Sequence, residues 1–440
     1  MIAMDIREIG LRLVGEAIKA ADPYRAVLNA VKVSDDKIIV QGKEFEIKGK
    51  VYVIALGKAA CEMARAIEDI LDVEDGVAVT KYGYGKELKR IKVIEAGHPI
   101  PDEKSILGAK EALSILNRAR ENDIVFILIS GGGSALFELP EEGISLEDLK
   151  LTTDLLLKSG AKIHEINTVR KHISKVKGGK LAKMIKGTGI VLIISDVVGD
   201  NLEAIASGPT VKDPTTFEDA KRILELYDIW EKVPESVRLH IERGLRGEVE
   251  ETLKEDLPNV HNFLIASNSI SCEAIAREAQ RLGFKAYIMT TTLEGEAKDA
   301  GLFIGSIVQE IAERGRPFEP PVVLVFGGET TVTIEGKGGK GGPNQEIALS
   351  ATRKISDLEA LIVAFDTDGT DGPTDAAGGI VDGTTYKKLR EKGIDVEKVL
   401  KEHNSYEALK KVGGLLFTGP TGTNVNSIVI AIVTSKRGRT

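Results

Sequence analysis

Cysteine is nearly absent from this chain. Cys61 and Cys272 are the only two in 440 residues, and neither sits in a Cys-x-x-Cys or Cys/His spacing. That excludes a thiolate zinc site, offers no disulfide framework and points to a reducing cytoplasm. Long apolar runs are missing too. The longest uncharged window, between Lys411 and Lys436, contains Gly413, Gly414, Pro420, Thr421, Asn424 and Asn426. Those residues would be costly in lipid, so no membrane span is expected. The opening stretch carries Asp5, Arg7, Glu8, Arg12 and Glu16 and so lacks the apolar core of a signal peptide. An excess of basic charge is also lacking: 59 Lys and Arg face 67 Asp and Glu, a net charge of −8, which argues against a nucleic-acid partner. Glutamine is scarce, at four residues among many Glu and Lys. Amides are thermolabile and ion-pair networks gain value when hot, so a thermophilic source is expected.

What remains is an ordinary globular mixture, 42% hydrophobic and 29% charged, long enough for two α/β domains. Short β-branched runs alternate with amphipathic stretches, the pattern of a parallel-sheet α/β architecture. The expected strands are Val51–Leu56, Gly76–Thr80, Ile91–Ala96, Ile124–Ile129, Ile190–Ile194, Phe263–Ala266, Ala286–Thr290, Val322–Phe326, Leu361–Phe365 and Ile428–Val433. Ser145 heads a capping signal before a helix over Leu146–Lys158, with Gly160 at its C-terminal end. The stretch from Arg243 to His261 is acidic, contains a proline and has no clean period. It sets the expected boundary, giving domains 1–250 and 251–440. The helix before Val31 is free to pack on either.

Glycine, Asp, Asn and Ser cluster where strands should end, the place where open α/β sheets bind ligands. Gly57-Lys58 is a strand–glycine–lysine–helix junction: either an ammonium held for a phosphate or carboxylate, or a surface lysine. Ser130-Gly131-Gly132-Gly133-Ser134 follows the strand IVFILI, and three consecutive glycines suit an anion nest more than a plain turn. Asp196, Asp200 and Asn201 end another strand, suiting magnesium, a general base, or simple Asx turns. Between these lie Arg170, Lys171, Lys175, Lys177 and Lys180, an anion-attracting patch or a solvated helix face. Gly336, Gly338 and Gly341 formally satisfy G-x-G-x-x-G. Interleaved lysines and the missing acidic partner about 20 residues on make a dinucleotide site a weak reading, and the loop before Asn344 suits polyphosphate better. Asp366, Asp368 and Asp371 form an acidic strand-end loop, without the distal Glu of an EF-hand, that suits magnesium beside phosphate. Thr423 and Asn424 either bind ligand or build turns. There is no Walker A loop, no kinase HRD or DFG set, no HExxH and no G-x-S-x-G elbow.

Taken in order, ALGKAA, SGGGSAL, INTVRKHISKVKGGKLA, SDVVGDN with ASGPT, FGGETTVTI, PNQEIAL, DTDGTDGPTDAAGG and TGTNVN resemble the glycerate kinase family, whose C-terminal part is the MOFRL domain. The resemblance runs from about residue 5 to residue 433. It implies a Rossmann-like three-layer first domain with a mostly parallel sheet and a smaller mixed-sheet second domain. It also implies substrates in the cleft between the two, and phosphorylation of D-glycerate to 2-phosphoglycerate by ATP with Mg2+ or another divalent cation. A homodimer is among the assemblies it allows.

Lys58 matches the family's active-site lysine and is expected to contact substrate. Arg170 and the nest residues Ser130, Gly131, Gly132, Gly133 and Ser134 are assigned to substrate. Asp196 is assigned as base, and Asp366, Asp368 and Asp371 as metal ligands. Exchanging the roles of Asp196 and the acidic loop is equally consistent. Lys340, Asn344, Glu346, Thr423 and Asn424 are assigned to nucleotide. Many relatives have an arginine where this chain has Pro343, and Lys340 is the nearest substitute. Two rival functions stand beside the kinase. One is an NAD(P)H-dependent hydroxypyruvate reductase, a name some relatives carry. The other is a non-catalytic sensor of a small phosphorylated acid.

Overall fold

The computed structural model describes residues 5–437. The chain divides into two compact units, one from Pro23 to Ile265 and the other combining the residues through Asp22 with those from Ala266 onward.

The unit Pro23–Ile265 has, after its opening helix Pro23–Ala30, a three-stranded antiparallel meander, β1 (Val31–Ser34), β2 (Lys37–Val40) and β3 (Lys43–Glu46). Its main sheet has six strands: β4 (Val51–Leu56), β5 (Asp75–Lys81), β6 (Ile91–Ala96), β7 (Ile124–Ile129), β8 (Thr188–Ile194) and β9 (Val260–Ala266). They lie in the order β6-β5-β4-β7-β8-β9, with parallel pairing from β6 through β8. The central strands β4 and β7 read as unbroken apolar runs because both of their faces are buried. Tyr52, Ile54 and Leu56 join a core with Ala109, Ala112, Ile115 and Leu116 of the helix Glu103–Arg118. The alternate residues Val53, Ala55, Phe126 and Leu128 are equally buried on the opposite face, as a period of two requires.

A second core gathers four helices, Leu146–Lys158, Ile163–His172, Phe217–Leu226 and Glu235–Leu245. The expected cap is there: the Ser145 hydroxyl accepts the amide of Asp148 at 3.0 Å. The segment 251–265, which the sequence pattern put in the second domain, belongs to this unit. Glu251 receives the His172 ring and the Phe217 amide, the Thr252 hydroxyl bonds Asp213, and β9 extends the sheet. Its irregular composition reflects buried polar partners rather than a linker.

The other unit has a mixed sheet of β10 (Lys285–Leu293), β11 (Val322–Gly328), β12 (Ala360–Asp366), β13 (Gly378–Asp382), β14 (Leu415–Leu416) and β15 (Ser427–Val433), in the order β10-β11-β15-β12-β13-β14. Only β10 and β11 run parallel; the remaining pairs are antiparallel. One face carries Leu324, Ile362 and Ala431 against helices including Ala297–Arg314 and Pro343–Ala351. The other carries Val325, Leu361, Val363 and Ile430 against Ile6–Ala21 and Asn268–Arg281. Both units are therefore three-layered α/β structures. The N-terminal helical segment is shared: Ile6–Ala21 covers the mixed sheet, and Pro23–Ala30 opens the other unit. Among the described residues no helix is long and apolar enough to cross a membrane.

Candidate active site

In the unit Pro23–Ile265, strand order reverses between β4 and β7, and the ends of these two strands flank the switch point, where ligands collect in such sheets. Their loops are stitched together. The Lys58 amide donates to the Gly131 carbonyl at 2.9 Å. The Ser130 hydroxyl accepts the Ala59 amide at 3.0 Å and donates to the Leu56 carbonyl at 3.3 Å. Ser130 is buried and thereby committed to joining the strand ends.

The glycines that follow allow close approach of side chains. A Cβ on Gly131 would stand 2.3 Å from Asp196 Oδ2, and one on Gly132, whose φ is +86°, would meet the His98 ring at 3.1 Å and Lys58 Cε at 3.4 Å. The sequence-assigned residues Lys58, Gly131, Gly132 and Asp196 are thus brought to one spot, all at strand ends. Burial pushes the Asp196 carboxyl above its ordinary range, against the pull of Lys58. Lys58 itself is half-buried and forms no ion pair among the described residues. His98 was not identified from sequence. Its signal was available, a histidine in a Gly-His-Pro turn two residues beyond β6, but a lone histidine carries little weight without knowledge of what it faces.

Behind the nest, the hydroxyls of Ser134 and Ser207 share a hydrogen bond at 2.8 Å. The Ser134 carbonyl receives Arg170 Nη2 at 3.2 Å and Lys177 Nζ at 2.8 Å. The basic stretch is neither an anion-attracting patch nor a solvated face. Lys171 pairs with Asp213, Lys177 with Glu138 and Lys180 with Glu141 in largely buried contacts. Arg170 keeps an enclosed Nε with no partner. Burial lowers the Lys177 ammonium to about 8, with Glu138 opposing the shift. Because both side chains of that pair are fully enclosed, at 1% and 0% exposure, Glu138→Ala strands a buried cation. It is expected to cost about 3–5 kcal/mol, read as a lower urea midpoint, whereas a change under about 1 kcal/mol would mean that the pair is solvated.

In the other unit, Asp366 ends β12 and Asp368 follows two residues later. Asp366 Oδ1 accepts the Asp368 amide at 3.1 Å. Burial, then the charge of Asp368, pushes the Asp366 carboxyl up to about 7. Two carboxylates that repel each other at a half-buried strand end form a donor set a divalent cation would relieve. Asp371 is differently placed. Its oxygens accept the amides of Asn344 and Gln345 at 3.0 and 2.9 Å and the Asn344 side-chain amide at 3.1 Å, so it caps the helix Pro343–Ala351. Among the described residues no group of three or more His, Cys, Asp or Glu converges as a metal cage would.

The residues assigned to nucleotide are dispersed over structural duties. Lys340 lies with Nζ 3.7 Å from the Tyr406 ring centre. Glu346 is buried and pairs with His403 Nδ1 at 2.7 Å. The Thr423 hydroxyl donates to the Ala21 carbonyl at 2.6 Å, and Asn424 Oδ1 accepts the Asn426 amide at 2.8 Å. Asn344 retains an unpartnered buried Oδ1. The glycine loop starts eight residues beyond β11 and is pinned to Asn404 and Tyr406 through the Lys340 backbone. It is not the strand–turn–helix of a dinucleotide fingerprint.

An all-parallel run of strands with a glycine nest at its switch point, in a chain that also carries a mixed-sheet unit, defines a two-part architecture that known families share. Residues 10–242 match the family described as a domain of unknown function, DUF4147, and residues 322–427 match the MOFRL family. The chain is 45% identical to the D-glycerate 2-kinase of Thermotoga maritima over 97% of its own length and 98% of that protein. It is 36% identical to the glycerate 2-kinase of Sulfurisphaera tokodaii over 96% of this chain and all of the relative. A protein provisionally named hydroxypyruvate reductase from Agrobacterium vitis is 39% identical over 96% of this chain and 93% of its own. The crystal structure of glycerate kinase from Thermotoga maritima superposes with a TM-score of 0.88 at 44% identity, covering 98% of this chain and 99% of that one. The chain belongs to the glycerate kinase family.

Proposed function

We propose that this protein transfers the terminal phosphoryl group of ATP to D-glycerate, yielding 2-phosphoglycerate. The observation that carries the reading is the meeting of Lys58 and Asp196 on one glycine nest at the switch point of a parallel sheet, in a chain with full-length similarity to glycerate 2-kinases.

The chemistry follows from charge. Glycerate and ATP are both anions, so the acceptor must be neutralised and aligned before in-line attack. Lys58 supplies positive charge for the acid, and the nest supplies oriented N–H groups, with Arg170 holding the Ser134 carbonyl behind it. The hydroxyl oxygen bonds to phosphorus as the bond to the ADP oxygen breaks, and Asp196 takes the hydroxyl proton. In the mixed-sheet unit we assign Asp366 and Asp368 as the residues that would hold Mg2+, with Asp371 supporting the loop through its helix cap. Mg2+, when bound, neutralises charge on the nucleotide phosphates. Asp368→Asn is accordingly expected to raise the half-saturating magnesium concentration at least about tenfold. An unchanged titration would move the metal to other carboxylates.

The direct test is to incubate the protein with D-glycerate, ATP and magnesium, beside a mixture of NADH and hydroxypyruvate, and to identify products by NMR. 2-Phosphoglycerate supports the proposal and the 3-phospho isomer corrects the position. NADH oxidation without a phosphorylated product would overturn phosphoryl transfer.

A further inference from the structure

One more side chain reaches the same nest. His98 follows β6, and its Cδ2 and Nε2 stand 3.1 and 3.2 Å from the point a Cβ on Gly132 would occupy, where Lys58 Cε also lies at 3.4 Å. Asp196 Oδ2 is 2.3 Å from the equivalent point on Gly131. Three chemically different groups therefore converge on two consecutive glycines. The His98 ring is half-buried and makes no hydrogen bond among the described residues. Burial, followed by the charges of Lys58 and Lys81, holds its pKa below the ordinary imidazole value, so at neutral pH it offers one N–H and one lone pair.

Each of these groups suits a different part of a hydroxy acid. An ammonium suits the carboxylate, and a carboxylate suits the hydroxyl that must lose its proton. An uncharged donor and acceptor suits a hydroxyl that keeps its proton. D-Glycerate presents one of each. We propose that His98 hydrogen-bonds the hydroxyl of the acceptor acid that is not phosphorylated, and so selects a dihydroxy acid over its deoxy counterpart. The inference rests on the glycerate reading above. Its physical basis is that a site built to bond a hydroxyl is left with an unpaired polar group when an analogue lacks it.

The test compares the full-length wild type with His98→Ala and His98→Gln. It measures kcat/KM for D-glycerate and the inhibition constant of D-lactate, which lacks that hydroxyl, with melting temperatures checking the fold. His98→Ala is expected to lower kcat/KM for D-glycerate by about 10- to 100-fold while leaving the D-lactate constant within about twofold. His98→Gln, which keeps an uncharged donor and acceptor, is expected to recover part of the loss. If D-lactate binding weakened in step with D-glycerate turnover, His98 would hold the carboxylate or the fold instead. Unchanged D-glycerate kinetics would remove it from the site. Absence of any phosphoryl transfer by the wild type would sink the glycerate reading itself and is distinguishable from both.

Discussion

Replacing Lys58 by alanine is expected to lower kcat/KM for D-glycerate by about a thousandfold while shifting the melting temperature only slightly. The two halves of that expectation have separate origins. Activity falls because an ammonium facing an anionic acceptor offsets the repulsion between two anions, a contribution that water cannot replace inside a site. The fold survives because the Lys58 side chain is half-buried and pairs with no carboxylate among the described residues, so its removal strands no buried charge. The backbone bonds of Lys58, to the Gly131 carbonyl and from the Thr80 hydroxyl, do not depend on its side chain. Arginine should not substitute fully, since its planar fork is larger and differently shaped than the ammonium that fits above Gly132. Normal turnover by a folded Lys58→Ala variant would refute the assignment.

The second large effect is expected at Asp196. Asp196→Asn should cut kcat by about 10²- to 10⁴-fold, the usual worth of a general base, and should leave the protein at least as stable as the wild type. Burial raises this carboxyl's pKa, so the folded state holds the proton more tightly than the unfolded chain does. Its contribution to stability then declines as pH rises from the unfolded pKa through the folded one, and ionised Asp196 is a net cost at neutral pH. Asparagine removes that cost. Turnover should also fall in acid as Asp196 protonates, with a limb above the ordinary carboxylate range. In Lys58→Ala the residual activity should show this limb at still higher pH, because the cation that lowers the Asp196 pKa is gone. A variant that is inactive and destabilised would instead mark Asp196 as structural.

Most of the ten apolar runs, Val51–Leu56 and Ile124–Ile129 among them, became strands because they are β-branched and buried on both faces, the condition under which sequence pattern and fold agree most closely; Ala286–Thr290 lies in a largely exposed strand. The meander β1–β3 was invisible for the opposite reason. Its strands have four residues each and carry lysines and glutamates on a mostly exposed face. β13 hid behind Gly378 and Gly379, poor strand formers that are tolerated because β12 lies against them closely enough to exclude a Cβ at Gly378. That Lys58 lies beside the glycines of the second loop was legible because both motifs directly follow apolar runs that read as strands. The basic stretch was not, since Lys171, Lys177 and Lys180 find their acids 42, 39 and 39 residues away along the chain, beyond any local pattern. Local pattern likewise does not show that the Thr423 hydroxyl bonds the Ala21 carbonyl or that the Lys340 ammonium lies over the Tyr406 ring.

The helix Ile6–Ala21 belongs to a sheet whose strands all come after Ala266, which makes one unit an insertion within the other. During synthesis this helix leaves the ribosome with its apolar stripe of Ile9, Leu13, Val14 and Ala17 and no surface to cover. The inserted unit can complete its own core first. Only when Val325, Leu361 and Ile430 have been made can the helix dock, closing a loop that spans the whole insertion. A fragment beginning at Ala266 would therefore leave uncovered the part of that face which Ile6–Ala21 shields beside Asn268–Arg281. Its solubility should be restored by supplying the helix as a separate peptide.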